Sequence, residues 1–357
     1  MSIIKKYSVY FFIVIFIITS LELLLKLYSN FYNVKFINDN RYSQIFKVYD
    51  QGKIFKSYKN FFLYEKNLDQ KRYLNFYFDK KNSELKKIWD YKFSTNNYGL
   101  VQEFDLNEEK ESLLFLGDSF TEGQGAEPWI NSLGENYKGL QIINGGIQGT
   151  GFKQFENLDS YFSNIFTIKK TVVIFISSDL RRGIVKPNNS KCLKNFSECS
   201  NRNYILGIPD DKNFDIESFV LKNIEMKSEK DLKKKVKYFI RDMYLYNYMR
   251  TIINTFRLKN DKTIKTNLNA ILSLKNKYRN DVIFIRINDP NEIMFKKISY
   301  ETRLINNFFK KNNIKYHYCD MNNDLELFHK FDYHPNRLGY KNLRECVLTI
   351  LNENYKN

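Results

Sequence analysis

From Val9 to Leu25 only Thr19, Ser20 and Glu22 interrupt a run of apolar residues. That is about one membrane span, at the short end of the usual range. Lys5 and Lys6 precede the run, and no small-residue cleavage site follows it, since the next stretch is "KLYSNFYN". The pattern predicts an uncleaved transmembrane signal anchor over residues 1–29. The positive-inside rule puts Lys5 and Lys6 in the cytoplasm and the body of the chain in the periplasm or outside the cell, although Lys26 weakens the asymmetry. Residues 30–93 are rich in Tyr, Phe and Lys. Short alternating stretches there, "QIFKVY" and "YLNFYF", predict strands of an accessory extracytoplasmic region with no catalytic pattern of its own.

From about residue 110 the pattern turns orderly. "SLLFLGDS" is a continuous apolar run ending in a turn, which predicts a fully buried strand. "EPWINSLGENY" predicts a helix, "LQIINGG" a strand, "FKQFENLDSYFSNIF" a helix and "TVVIFISSDL" another buried strand. A stretch of about 183–262 interrupts the alternation with a polar loop and the charged helical run "SEKDLKKKVKYFIRDMYLYNYMRTII". The alternation then resumes: helix "IKTNLNAILSLKNKY", strand "DVIFIRIN", helix "ETRLINNFFKKNN", strand "IKYHYCDM", and a closing helix from near Gly339. Alternating strands and helices predict an α/β domain over residues 94–357, with a five-stranded parallel sheet between two helical layers. In such a sheet the site lies at the carboxyl ends of the strands.

Composition adds three limits. With 43% hydrophobic residues in 357, the chain can build a sizeable core. Its net charge of +17 is spread along the sequence without basic runs or a nucleic-acid motif, so the charge suits an anionic membrane or glycan and no nucleic-acid partner is expected. Of the four cysteines, Cys192 and Cys199 bracket the polar "LKNFSE". A disulfide between them and two free thiols both fit that spacing, and an oxidising compartment favours the bridge. Cys319 and Cys346 lie in apolar surroundings and are expected to be buried. No spacing suggests a metal site, and no cofactor motif is present.

Three features fall on the predicted carboxyl edge: Ser119 after the first strand, Gly145 and Gly146 after the second, and "FDYHPNRLGY" after the last. A serine hydroxyl needs a base within hydrogen-bond reach, and the base needs an orienting acid. Of the three histidines, His317 falls in a predicted strand and His329 among apolar neighbours. His334 alone combines a loop position, a nearby acid and a following proline.

"GDSFTEG", "NGGIQG" and "DYHPNRLGY" resemble, in order, three blocks of the SGNH/GDSL hydrolase superfamily of esterases, lipases, thioesterases and carbohydrate acetylesterases. "STNNYG" at 94–99 is similar to a stretch that often precedes the first block in exported members. The resemblance implies a flavodoxin-like sheet, a Ser119–His334–Asp332 triad, and an oxyanion site from the N–H groups of Ser119 and Gly146, with no metal or cofactor. Two departures stand out. Ser178, in "ISSDL", occupies the place of the superfamily's asparagine donor. The acid lies two residues before His334 instead of three; Asp332 is kept as the expected acid, with Asp320, at the end of the preceding strand, as its substitute. The expectation is a membrane-anchored acyl-ester hydrolase acting on an acylated small molecule, lipid or glycan. The alternatives are transfer of the acyl group to an envelope glycan and a non-catalytic envelope scaffold with the same fold.

Overall fold

The computed structural model describes residues 3–31, 43–50, 54–79, 84–137, 139–184, 204–208, 214–225, 236, 239–240, 242–259, 261–278, 281–295, 298–321 and 324–355. Cys192 and Cys199, with most of the polar loop, lie outside the described residues. By contacts the chain divides into one unit of 1–42 and 221–261 and another of 43–220 and 262–357. The accessory region from residue 43 groups with the α/β domain, and the later part of the interruption groups with the N-terminal helix.

In the first unit, helix α1 runs from Ile3 to Phe31. Its stretch Val9–Phe31 has a mean hydropathy of 2.2 and is long and apolar enough to cross a membrane, as an anchor or a signal sequence would. The polar intruder Glu22 has a partner: its two carboxylate oxygens accept the backbone N–H groups of Tyr244 and Leu245 at 2.6 and 2.8 Å.

The second unit holds two sheets and a hairpin. The accessory strands are β1 (Ser43–Asp50), β2 (Phe55–Ser57), β3 (Phe62–Tyr64), β4 (Lys71–Asp79) and β5 (Glu84–Phe93). The strands β6 (Ser112–Gly117), β7 (Gln141–Gly146), β8 (Ile168–Phe175), β10 (Val282–Ile287) and β11 (Tyr316–Cys319) form one parallel sheet in the order β11-β10-β8-β6-β7. The order reverses at β6, which is the flavodoxin-like arrangement that the family resemblance implies. Short helix α2 (Ser119–Glu122) follows β6, and α3 (Phe152–Ser163) follows β7. The expected helix between them is a 3-10 helix, Trp129–Asn136, which starts behind Pro128.

The interruption contributes β9 (Tyr204–Ile208), and this strand does not join the main sheet. It pairs in parallel with β1 in a second sheet ordered β5-β4-β1-β9. Helices α4 (Ile216–Glu225) and α5 (Tyr244–Lys259) follow, then α6 (Lys262–Tyr278), α7 (Pro290–Phe295), α8 (Tyr300–Lys311) and α9 (Arg337–Tyr355).

Strand alternation sorts the core. Leu114 and Leu116 of β6 join one apolar cluster with α3, α6, α8 and the rings of Tyr49, Tyr73, Trp89 and Tyr91 from the accessory sheet. Leu113 and Phe115 point the other way, into a cluster with α9 and the 3-10 helix. Cys319 and Cys346, expected only to be buried, are joined by a disulfide. The end of β11 packs on α9 and brings their Cα atoms to 5.9 Å, within the range a bridge spans.

Candidate active site

The nucleophile's turn is tightly built. A Cβ on Gly117 would lie 1.9 Å from the Thr121 hydroxyl and 2.6 Å from the Ile174 carbonyl, so no larger residue fits where β6 meets α2. Asp118 caps α2 by accepting the Phe120 N–H at 2.9 Å. Gly123 closes the helix at φ +92, a left-handed conformation that glycine adopts without steric cost. The other oxygen of Asp118 meets Arg182 at 2.6 Å, and the same guanidinium nitrogen lies 2.9 Å from Asp179. The turn after β8 is thereby tied to the turn after β6. Two carboxylates share one guanidinium there, and burial together with the Asp118 charge pushes the Asp179 pKa well up.

Ser119 is 4% exposed. Its Oγ lies 2.9 Å from His334 Nε2, and His334 Nδ1 lies 2.6 Å from Asp332 Oδ2. The three side chains named from the sequence therefore meet in one hydrogen-bonded line. Burial alone would raise the Asp332 pKa. The charge and hydrogen bond of His334, the Lys47 charge and a hydrogen bond from Trp89 outweigh it and hold the carboxyl well below its usual range.

The substitute acid, Asp320, is exposed and accepts from Asn288 Nδ2 at 3.2 Å. His329 approaches the Gly125 carbonyl at 2.9 Å, and His317 sits on β11 beside Asn354. Neither takes the place of His334.

The expected oxyanion donors divide. Ser119 stands at the first position of α2, and its N–H has no acceptor among the described residues, as helix geometry leaves it. Gly146 is buried, and its N–H donates to Asn144 Oδ1 at 3.1 Å. A Cβ there would lie 2.3 Å from the Glu122 nitrogen. Gly146 is therefore a close-packing glycine whose donor is already used, which corrects the expected role. Gly149, three residues on, is exposed with φ +72, and its N–H is free among the described residues. Ser178 is half-buried in the 3-10 helix Ser177–Arg181 after β8, and its hydroxyl makes no hydrogen bond among the described residues. Its neighbour Ser177 is taken up with Arg286 and Thr302.

Sequence reasoning missed the contribution of the accessory strands. Trp89 Nε1 on β5 donates to Asp332 Oδ2 at 2.8 Å. The Tyr64 hydroxyl on β3 donates to Glu122 Oε1 at 2.9 Å, and Glu122 Oε2 accepts the Gln148 N–H at 2.9 Å. Glu122 is fully buried in the helix that begins with Ser119. Burial pushes its pKa up to about 8, against the hydrogen bonds from Tyr64 and Gln148 and the Lys47 charge. No motif announced Trp89 or Tyr64, because an aromatic residue on an alternating strand reads as core.

No family model and no curated protein matches this chain. Solved structures do. A lipolytic G-D-S-L family protein from Veillonella parvula is 9% identical, covering 67% of this chain and 97% of its own, with a TM-score of 0.33. A lipase/acylhydrolase from Enterococcus faecalis is 10% identical over 68% of this chain and 95% of its own, at 0.35. An acetylxylan esterase from Geobacillus stearothermophilus is 11% identical over 69% and 95%, at 0.33. At such identities and scores these likenesses carry no inference about activity. By its own described strands and helices, the chain has the layered α/β fold with a parallel sheet that the resemblance in its sequence implies.

Proposed function

We propose that this chain hydrolyses acyl esters at the cell envelope, held there by its N-terminal helix. The observation that carries the reading is the line from Ser119 Oγ through His334 to Asp332, at 2.9 and 2.6 Å, on the carboxyl edge of a parallel sheet. Ser119 Oγ attacks the ester carbonyl while His334 Nε2 takes its proton. Asp332 stays ionised, holds the ring by Nδ1 and stabilises the imidazolium. The Ser119 and Gly149 N–H groups, with the Ser178 hydroxyl, are the unoccupied donors for the oxyanion. Collapse of the tetrahedral species breaks the bond to the alcohol, which leaves with the proton from His334. Water then attacks the acyl-serine, gives its proton to His334, and the acid departs as Ser119 recovers its proton.

A fluorophosphonate probe tests this directly. Wild-type protein is labelled, and Ser119→Ala is not. Folded wild-type protein that resists labelling, and hydrolyses no short acyl ester, overturns the proposal.

A further inference from the structure

The acid lies two residues before the base, and the backbone shows how so short a spacing closes. Phe331 has φ +75 and Tyr333 has φ +60. Both flank Asp332, and neither is a glycine. Left-handed backbone at bulky L-residues is uncommon and persists where surrounding structure over-determines it. Within the loop, the His329 N–H donates to the His334 carbonyl at 2.8 Å and the Tyr333 N–H to the His329 carbonyl at 3.0 Å.

Two further restraints come from outside the loop, both from the accessory sheet. The Phe331 ring stacks on Tyr77 of β4, with centroids 3.9 Å apart and planes 17° from parallel. Trp89 of β5 donates its indole N–H to Asp332 Oδ2, the same oxygen that faces His334. The strand is shaped for that contact. Asn75 pairs with Trp89 but Phe76 with Lys87, so Ile88 is an extra residue in β5 immediately before Trp89. A bulge of this kind twists a strand and re-aims its side chains. Trp89 is 5% exposed and packs edge-on against Tyr73 at 4.6 Å, which fixes its ring.

From these contacts we infer that the accessory sheet is part of the catalytic apparatus, with Trp89 as a positioning residue for Asp332 and Tyr77 clamping the loop beside it. The inference rests on the proposed ester hydrolysis. Trp89 touches neither the nucleophile nor the base by hydrogen bond. It acts through the carboxylate, by fixing which oxygen faces His334 and by keeping that oxygen ionised. A small misplacement of such a group costs on the order of a hundredfold in rate.

The test is a double-mutant cycle on a short acyl ester. Trp89→Phe keeps a ring and removes the N–H. It lowers kcat about 10- to 100-fold with KM unchanged, and in an Asp332→Ala background it lowers the residual kcat no further. Tyr77→Leu, which leaves the N–H in place, lowers kcat in the same direction and is likewise silent without Asp332. A folded Trp89→Phe with unchanged kcat, or a loss that persists in full without Asp332, overturns the inference and leaves the hydrolase reading standing. If Trp89→Phe does not fold, Tyr77→Leu decides by the same cycle. Wild-type protein that neither turns over nor takes up the fluorophosphonate brings down the hydrolase reading and this inference together.

Discussion

The carboxyl edge of the parallel sheet and the accessory sheet beside it reach the same oxygen of Asp332 by opposite means. On the parallel edge, residue type and position announce chemistry: a serine after Gly-Asp, a histidine in a loop, an acid two residues earlier. On the accessory sheet, Trp89 and Tyr77 look like ordinary core residues. Yet Asp332 Oδ2 sits 2.6 Å from the parallel edge's histidine and 2.8 Å from the accessory sheet's tryptophan. The comparison separates two kinds of information. Reacting groups must be particular residue types, so a sequence displays them. Supporting groups need only a donor or a ring in the right place, and many residues supply one.

The division of labour can be broken first at the acid. Asp332→Asn removes the carboxylate that both regions share, and kcat falls by about four orders of magnitude, the scale seen when a triad acid is lost. Asp320→Asn, on the exposed alternative, leaves kcat unchanged. The reverse pattern in steady-state kinetics would move the acid off the loop that the accessory sheet clamps.

A smaller effect is expected on the parallel edge itself. Ser178→Ala deletes a hydroxyl that makes no hydrogen bond among the described residues, in the 3-10 helix after β8, and lowers kcat about 100- to 1000-fold with little change in KM, as removal of one oxyanion donor does. An unchanged kcat in folded protein assigns the oxyanion to the backbone N–H groups alone.

The smallest effect lies where the two regions meet, at Glu122. Its folded pKa of about 8 stands above the unfolded value of 4.5. Between those values the unfolded chain binds fewer protons than the folded one, so stability is greatest at the acid end of this window and falls as pH rises through it. The slope is at most about 1.4 kcal/mol per pH unit, on the order of 2 kcal/mol between pH 6 and 8. Glu122→Gln imitates the neutral acid and flattens that slope in denaturant titrations at several pH values. An equally steep slope in the variant would place the proton elsewhere.

Much of this was legible beforehand for physical reasons. Buried parallel strands read as short continuous apolar runs, and four appear where "SLLFLG", "QIING", "TVVIF" and "VIFIRI" stand, while the edge strand "YHYC" is only partly buried. Ser119 and His334 could be named because both sit in turns that follow strand ends, and the family resemblance implied Asp332 as the acid, with Asp320 as its substitute. Gly146 was misjudged because a glycine required for close packing and one required for an exposed donor look alike in one dimension. The chain also could not reveal that β9, far along in sequence, pairs with β1. Non-local pairing leaves no local periodicity. The disulfide between Cys319 and Cys346 was missed because the proximity of a strand end to a later helix is a tertiary fact.

The distance along the chain between the two hydrogen-bonded partners, Ser119 and His334, is 215 residues. Contacts of such separation must bear a loop-closure cost that neighbouring residues do not, although it grows only slowly with length. During vectorial synthesis the nucleophile and its elbow are complete while the base has yet to be made. A chain cut short before His334 would keep all five parallel strands and its serine and still lack the base. On the proposed reading, competence to cleave an ester arrives only once the chain has been made through His334.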